Sequence, residues 1–169
     1  MIRPILKFGA TPLHVRAADV DELTGDIQKL IDDMIETMYA APGIGLAAPQ
    51  IGVSLRIFVI DLSLGHEPDG LMVFVNPEFV ELEGMQLEEE GCLSVPGFNA
   101  TVARPMRAVM QGLDRSGTLR TVEGTDLLAR ALQHEMDHLD GKLFLDRVRG
   151  IKRDLIVKRI RKMTRAGKW

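Results

Sequence analysis

The sequence predicts an α+β fold with mostly antiparallel strands, arranged around a central metal-binding helix, and three observations carry that reading. Strand-like patterning dominates the middle of the chain, helical patterning occupies the two ends, and no helical stretch separates one strand from the next. Parallel strands need such a crossover, so the strands are expected to pair antiparallel.

Residues 1–20 read as an extended arm. From about Asp21 to Ala40, Ile27, Leu30, Ile31, Met34, Ile35 and Met38 recur at steps of three and four, while Asp26, Lys29, Asp32, Asp33 and Glu36 take the other face. That is an amphipathic helix, halted by Pro42. The run 41–52 (Ala41-Pro42-Gly43-Ile44-Gly45-Leu46-Ala47-Ala48-Pro49-Gln50-Ile51-Gly52) is small and uncharged, so its backbone can approach a ligand or a neighbouring strand closely. Gln50 is its one long polar side chain; the amide could donate into a cleft or merely satisfy nearby backbone.

Strands follow at Leu55–Leu62, Leu71–Asn76 before Pro77, Phe79–Glu83 and Met85–Glu89 hinged on Gly84. Arg107–Leu113 and Thr118–Val122 flank Asp114-Arg115-Ser116-Gly117, a hairpin turn. Beyond them Leu127, Leu128, Ala131, Leu132 and Leu139 give a buried-helix pattern with an acidic first turn at Asp126 and a stop at Gly141. The last stretch, Ile151–Trp169, holds eight basic residues against Asp154 alone, a net of +7, which leaves −10 on residues 1–150 of a chain at −3. Ile151, Leu155, Ile156, Ile160 and Met163 fall on one stripe, making this a basic amphipathic helix.

The chemistry concentrates in Ala131-Leu132-Gln133-His134-Glu135-Met136-Asp137-His138-Leu139-Asp140-Gly141. On a helix, His134 and His138 share a face about one turn apart and can hold one metal ion, with Glu135 placed to take a proton from metal-bound water. Metal-assisted hydrolysis is the first hypothesis, beside a structural metal site or a pair of hydrogen-bonded imidazoles. A third ligand is needed. Downstream of His138 there is no His, Glu or Cys; the long zinc-protease signature would put its last histidine where Phe144 stands. Upstream candidates are His14, His66, a carboxylate and the single cysteine, Cys92, within Glu88-Glu89-Glu90-Gly91-Cys92-Leu93-Ser94-Val95-Pro96-Gly97. Cys92 is favoured, since glycine and proline flank it in place of a strand's apolar alternation, and a Cys-His-His set leaves a coordination position open. His14 and His66 read as ordinary surface or packing residues.

With 169 residues and 46% hydrophobic content, the chain can bury one proper core. It has neither a hydrophobic run of membrane-spanning length nor a signal-peptide pattern, and its lone cysteine forms no internal disulfide, so a cytoplasmic protein with no membrane and no DNA partner is expected.

Gly43-Ile44-Gly45-Leu46-Ala47-Ala48-Pro49-Gln50, Glu90-Gly91-Cys92-Leu93-Ser94 and His134-Glu135-Met136-Asp137-His138-Leu139 together resemble, in order and separation, the three signature motifs of bacterial peptide deformylases. The resemblance implies removal of the formyl group from the N-terminal formyl-methionine of newly made proteins, with formate released. It implies one divalent ion per chain, Fe(II) first and Zn, Ni or Co as substitutes, held by Cys92, His134 and His138. Glu135 becomes the general base and acid, metal-bound water the nucleophile, and Gln50 with the N–H of Leu93 the oxyanion donors. Gly45 would pair with an extended peptide, and Ile44, Leu93 and Ala131 would receive the methionine side chain. Residues 1–150 would form a single catalytic domain and 151–169 a helical extension of it, read either as a solvated helix packed by its apolar stripe or as a contact with ribosomal RNA. A general metallopeptidase and a non-catalytic metal-stabilised module are the competing classes; only the latter could dispense with Glu135.

Overall fold

The computed structural model describes residues 1–169. In chain order the elements are α1 (Gly25–Ala40), β1 (Gly45–Ala47), β2 (Ile57–Ile60), β3 (Met72–Glu83), β4 (Gln86–Gly91), β5 (Asn99–Arg104), β6 (Arg107–Leu113), β7 (Leu119–Thr125), α2 (Asp126–Leu139) and α3 (Ile151–Arg165). Five strands form one antiparallel sheet in the order β1-β2-β3-β6-β7, and β4 and β5 form a separate antiparallel ribbon. The predicted class, mixed helices with antiparallel sheets, is the one observed.

Strand β2 explains how the sheet is covered. Its four residues, Ile57-Phe58-Val59-Ile60, are all buried, because both of its faces are. Ile57 and Val59 point to α1 and meet Leu30, Ile31, Met34 and Met38, whereas Phe58 and Ile60 point to α2 and meet Leu132, Met136 and Leu139. The sheet is thus the middle layer between two helices. A third core, built from Val95, Ala100, Val102, Phe144, Ile156 and Ile160, joins the ribbon and the segment after α2 to helix α3.

Element boundaries differ from expectation where local chemistry intervenes. Helix α1 starts at Gly25, since Thr24 caps it by accepting from Ile27 N at 3.3 Å. Pro77 does not end a strand: β3 runs through it with register shifts on either side of Glu78 and Phe79. Proline is tolerated where a bulge removes the need for its N–H. Asn76, at φ +51°, is held there by donating to Val20 O and accepting from Val20 N. Strands β1 and β5 were not expected, and β7 extends from Leu119 to Thr125.

The N-terminal arm also straps the end of α2. Ala17 N donates to Leu139 O at 2.9 Å, and Gly141, at φ +75°, leaves the helix with its Cα against the Val15 backbone. A Cβ at Gly141 would stand 2.7 Å from Val15 C, and Val15 is backbone that must move bodily. Gly141→Ala is therefore expected to lower unfolding stability by at least about 2 kcal/mol, read as a fall in urea midpoint at unchanged slope.

Candidate metal centre

Helix α2 presents one face to the sheet through Leu132, Met136 and Leu139, and this orientation turns His134, Glu135 and His138 toward the loop after β4. There Cys92 closes the constellation. The ligand atoms of Cys92, His134 and His138 all lie within 4.8 Å of one another, with Cys92 Sγ 3.4 Å from His138 Nε2. Two imidazoles and a sulfur at this separation suit a single cation with a position left open. Ser94 N points at the same sulfur at 3.4 Å.

Gln50 sits in a 3-10 turn, Ala48–Ile51, directly after β1 and is 1% exposed. Its Oε1 accepts from Ala47 N at 2.9 Å, which orients the amide; its Nε2 then donates to Ser94 Oγ at 3.1 Å and faces Cys92 Sγ at 3.7 Å. Of the two roles read from the sequence, backbone satisfaction is the one observed, at Ala47 N. Gly45 lies so close to Glu135 that a Cβ would stand 2.5 Å from Oε1. A side chain here would displace the Glu135 carboxyl, and glycine leaves room for it.

Ile44, Gly45, Gln50, Cys92, Leu93, Ala131, His134 and Glu135 line one cleft of about 390 Å³, while His138 is fully buried beside Cys92. Leu127 and Arg130 also line it; Leu127 was expected in the core but is 52% exposed. The other histidines stand apart from the metal-ligand group: His14 accepts from Gly9 N and packs edge-on against Phe8, and His66 is exposed in the loop after β2.

Sequence reasoning missed the charges behind the histidines. Glu90 accepts from Arg104 Nε and Nη2 at 2.8 and 2.6 Å and from Arg130 Nη1 at 2.6 Å, and it meets His134 Nδ1 at 2.5 Å. Arg104, 2% exposed, also donates to Asp137 at 3.0 Å, and Arg147 binds Asp137 through two nitrogens. With Nδ1 engaged by a carboxylate, the opposite nitrogen of His134 is the one free for a cation.

Electrostatics follow from this wiring. Burial alone would raise the Glu90 carboxyl, but its bonds to Arg104 and His134 hold it well below the usual carboxylate range. Burial works against a charged His134 ring too, yet Cys92 and Glu90 outweigh it and raise its pKa; burial and the neighbouring His134 charge push His138 down. Glu135 is pushed up to about 7 by burial, against the pull of His134. Glu135 Oε2 and His138 Nδ1 are buried without partners. A buried carboxyl with an unpartnered oxygen beside a soft three-donor set suits proton transfer at a metal.

The family model for polypeptide deformylase matches residues 2–154. A peptide deformylase of Acidobacterium capsulatum is 50% identical over 169 residues, covering 100% of this chain and 99% of that protein, and one from Thermodesulfovibrio yellowstonii is 50% identical over 160 residues, covering 95% and 97%. Among solved structures, a peptide deformylase from Legionella pneumophila superposes with a TM-score of 0.91 at 44% identity, covering 99% of this chain and 98% of that one. Another, from Synechococcus elongatus in complex with actinonin, gives 0.88 at 36% identity with 97% and 90% covered. The chain belongs to the peptide deformylase family, a family of metal-dependent hydrolases.

Proposed function

We propose that this chain removes the formyl group from the N-terminal formyl-methionine of nascent proteins, and that Cys92, His134 and His138 hold the metal ion that the reaction needs. The observation that carries the reading is the convergence of those three ligand atoms with Glu135 and Gln50 on one cleft. When bound, a divalent cation supplies Lewis acidity and makes water nucleophilic near neutral pH. Strand β1 is an edge strand paired only with β2, so Gly45 offers free backbone groups to an extended peptide. Ile44, Leu93, Ala131 and Leu127 give the methionine side chain an apolar seat. Gln50 Nε2 and the Leu93 N–H, which has no acceptor within the chain, donate to the formyl oxygen as charge develops on it. Glu135 takes the proton from water and returns it to the departing amine.

Residues 1–150 form the catalytic body in this reading, and 151–169 extend the same domain. Sulfur with two nitrogens suits Fe(II), Zn, Ni or Co; Fe(II) is the proposed native ion, and it would make the protein oxygen-sensitive at the metal and at Cys92. Formate release from a short formyl-methionyl peptide, with metal quantified in the same sample, tests the assignment. Release should vanish on chelation and return with Fe(II). A fully loaded protein that releases no formate would refute it.

No helix is long and apolar enough to cross a membrane, and a cytoplasmic enzyme meeting its substrate at the ribosome is the proposed setting. Helix α3 packs by Ile156, Val157 and Ile160 and leaves Lys158, Arg159 and Lys162 exposed, a cationic face for ribosomal RNA. Because truncation would open the third core, charge reversal of those three residues is the cleaner test. The triple variant should cosediment less with ribosomes at low salt, with a log–log salt slope shallower by about 2–3 units; unchanged binding would rule the contact out.

A further inference from the structure

The histidines of the proposed centre are held by different means. His134 is clamped through its ring, since Nδ1 meets Glu90 at 2.5 Å. His138 has no such clamp: it is fully buried and its Nδ1 is unpartnered, so no side chain fixes that nitrogen. Its placement is inherited from the backbone of the last turn of α2.

That turn ends at Leu139, whose carbonyl is among those a helix leaves without an intrahelical partner. Arg56 supplies the partner. It is 6% exposed, and its Nη1 donates to Leu139 O at 2.9 Å, beside the bond from Ala17 N. Its Nη2 reaches Asp140 Oδ1 at 3.0 Å and Met136 Sδ at 3.4 Å, spanning the turn from inside to out. The Arg56 backbone is itself fixed, with N donating to Ala18 O and O accepting from Asn76 N, each at 2.9 Å. A guanidinium anchored in the sheet therefore grips the C-terminal end of α2, where the helix dipole favours a cation.

We propose that Arg56 is the positioning residue for His138: by fixing the last turn of α2 it keeps His138 Nε2 at bonding range of the position that Cys92 Sγ and His134 share. The inference rests on the ligand assignment made above. Arg56 touches neither substrate nor cation, and its action is on the geometry and lifetime of the metal site.

The test uses the full chain loaded with Co(II), whose thiolate charge-transfer and d–d bands report ligand set and geometry. Co(II) transfer to excess chelator and urea midpoints are measured for the parent, Arg56→Met, Arg56→Lys, Cys92→Ser and Leu30→Ala. Leu30→Ala is a stability control in the α1 core, on the other side of the sheet. Arg56→Met should release Co(II) about 10- to 100-fold faster with weakened d–d bands. Arg56→Lys, which keeps the charge and one donor, should fall between it and the parent and carries the test if the methionine variant does not fold. Leu30→Ala should lose stability at a parental release rate. Parental release and bands in both Arg56 variants, or equal acceleration in Leu30→Ala, would overturn the inference alone. A parent whose charge-transfer band survives Cys92→Ser would overturn the ligand assignment and this inference with it.

Discussion

Glu135→Gln is expected to lower kcat for formate release by about 10²- to 10⁴-fold, the range a lost general base commands, while metal content stays at the parental level. The substitution is nearly isosteric and falls outside the set of three ligand atoms, so the cation has no reason to leave. What goes is the proton acceptor. Glu135 is 4% exposed and its Oε2 has no hydrogen-bond partner within the chain, so the carboxyl is free to pass between its ionised and protonated states, as one group serving as base and then acid requires. An amide has no such pair of states.

The same variant should be the more stable one without metal, and the sign follows from linkage. The folded chain holds the Glu135 proton up to about pH 7, whereas an ordinary glutamate releases it near 4.5. Between those values the folded state binds more protons than the unfolded state, so this group's contribution to stability falls as pH rises. Glutamine has no such dependence, and the urea-stability difference should shift toward Glu135→Gln from about pH 4.5 to about pH 7. Retained turnover in Glu135→Gln would overturn the assignment of Glu135 as general base and acid.

How much of this was legible follows from which signals are local. Helix α2 could be read because its apolar spacing and the Gly141 stop lie within one short stretch, and β6 matched its expected bounds because Asp114-Arg115-Ser116-Gly117 fixes the turn beside it. Spacing paired His134 with His138 and donor chemistry favoured Cys92, whereas the convergence of Gln50 and Gly45 on them was legible only through the resemblance to the family's three motifs. Strand β1 was hidden, since three residues of a small-residue run acquire strand character only by pairing with β2. Strand β5 does alternate, with Ala100, Val102 and Arg104 inward, but an arginine at an inward position reads as a break. Glu90 was concealed for the same reason. In Glu88-Glu89-Glu90 it looks like part of a solvated run, yet it alone is buried, and its partners Arg104, Arg130 and His134 come from other elements. Long-range charge pairing leaves no periodic trace.

Those concealed charges make Arg104→Met the substitution expected to damage the folded chain most. Arg104 bridges Glu90 and Asp137, both under 10% exposed, so its loss takes a cation from two buried carboxylates at once. Arg130 still reaches Glu90 and Arg147 still holds Asp137, which keeps the cost finite: about 3–5 kcal/mol, the usual price of breaking a buried pair from one side. Glu90 is held below its ordinary range, so its contribution is present above about pH 4.5 and is lost as pH falls through its folded value. The gap between parent and Arg104→Met should accordingly be widest near neutrality and narrow on acidification, as urea midpoints at several pH values will read. A constant gap would mean that Arg104 acts through packing. Removing the acid together with the base, in Glu90→Gln with Arg104→Met, should cost less than the sum of the two singles, because the buried charge that makes each single expensive is then gone. Metal retention separates the roles of the pair: the double variant should recover stability over Arg104→Met but not the grip on His134, since glutamine offers Nδ1 a weaker acceptor than the carboxylate it replaces.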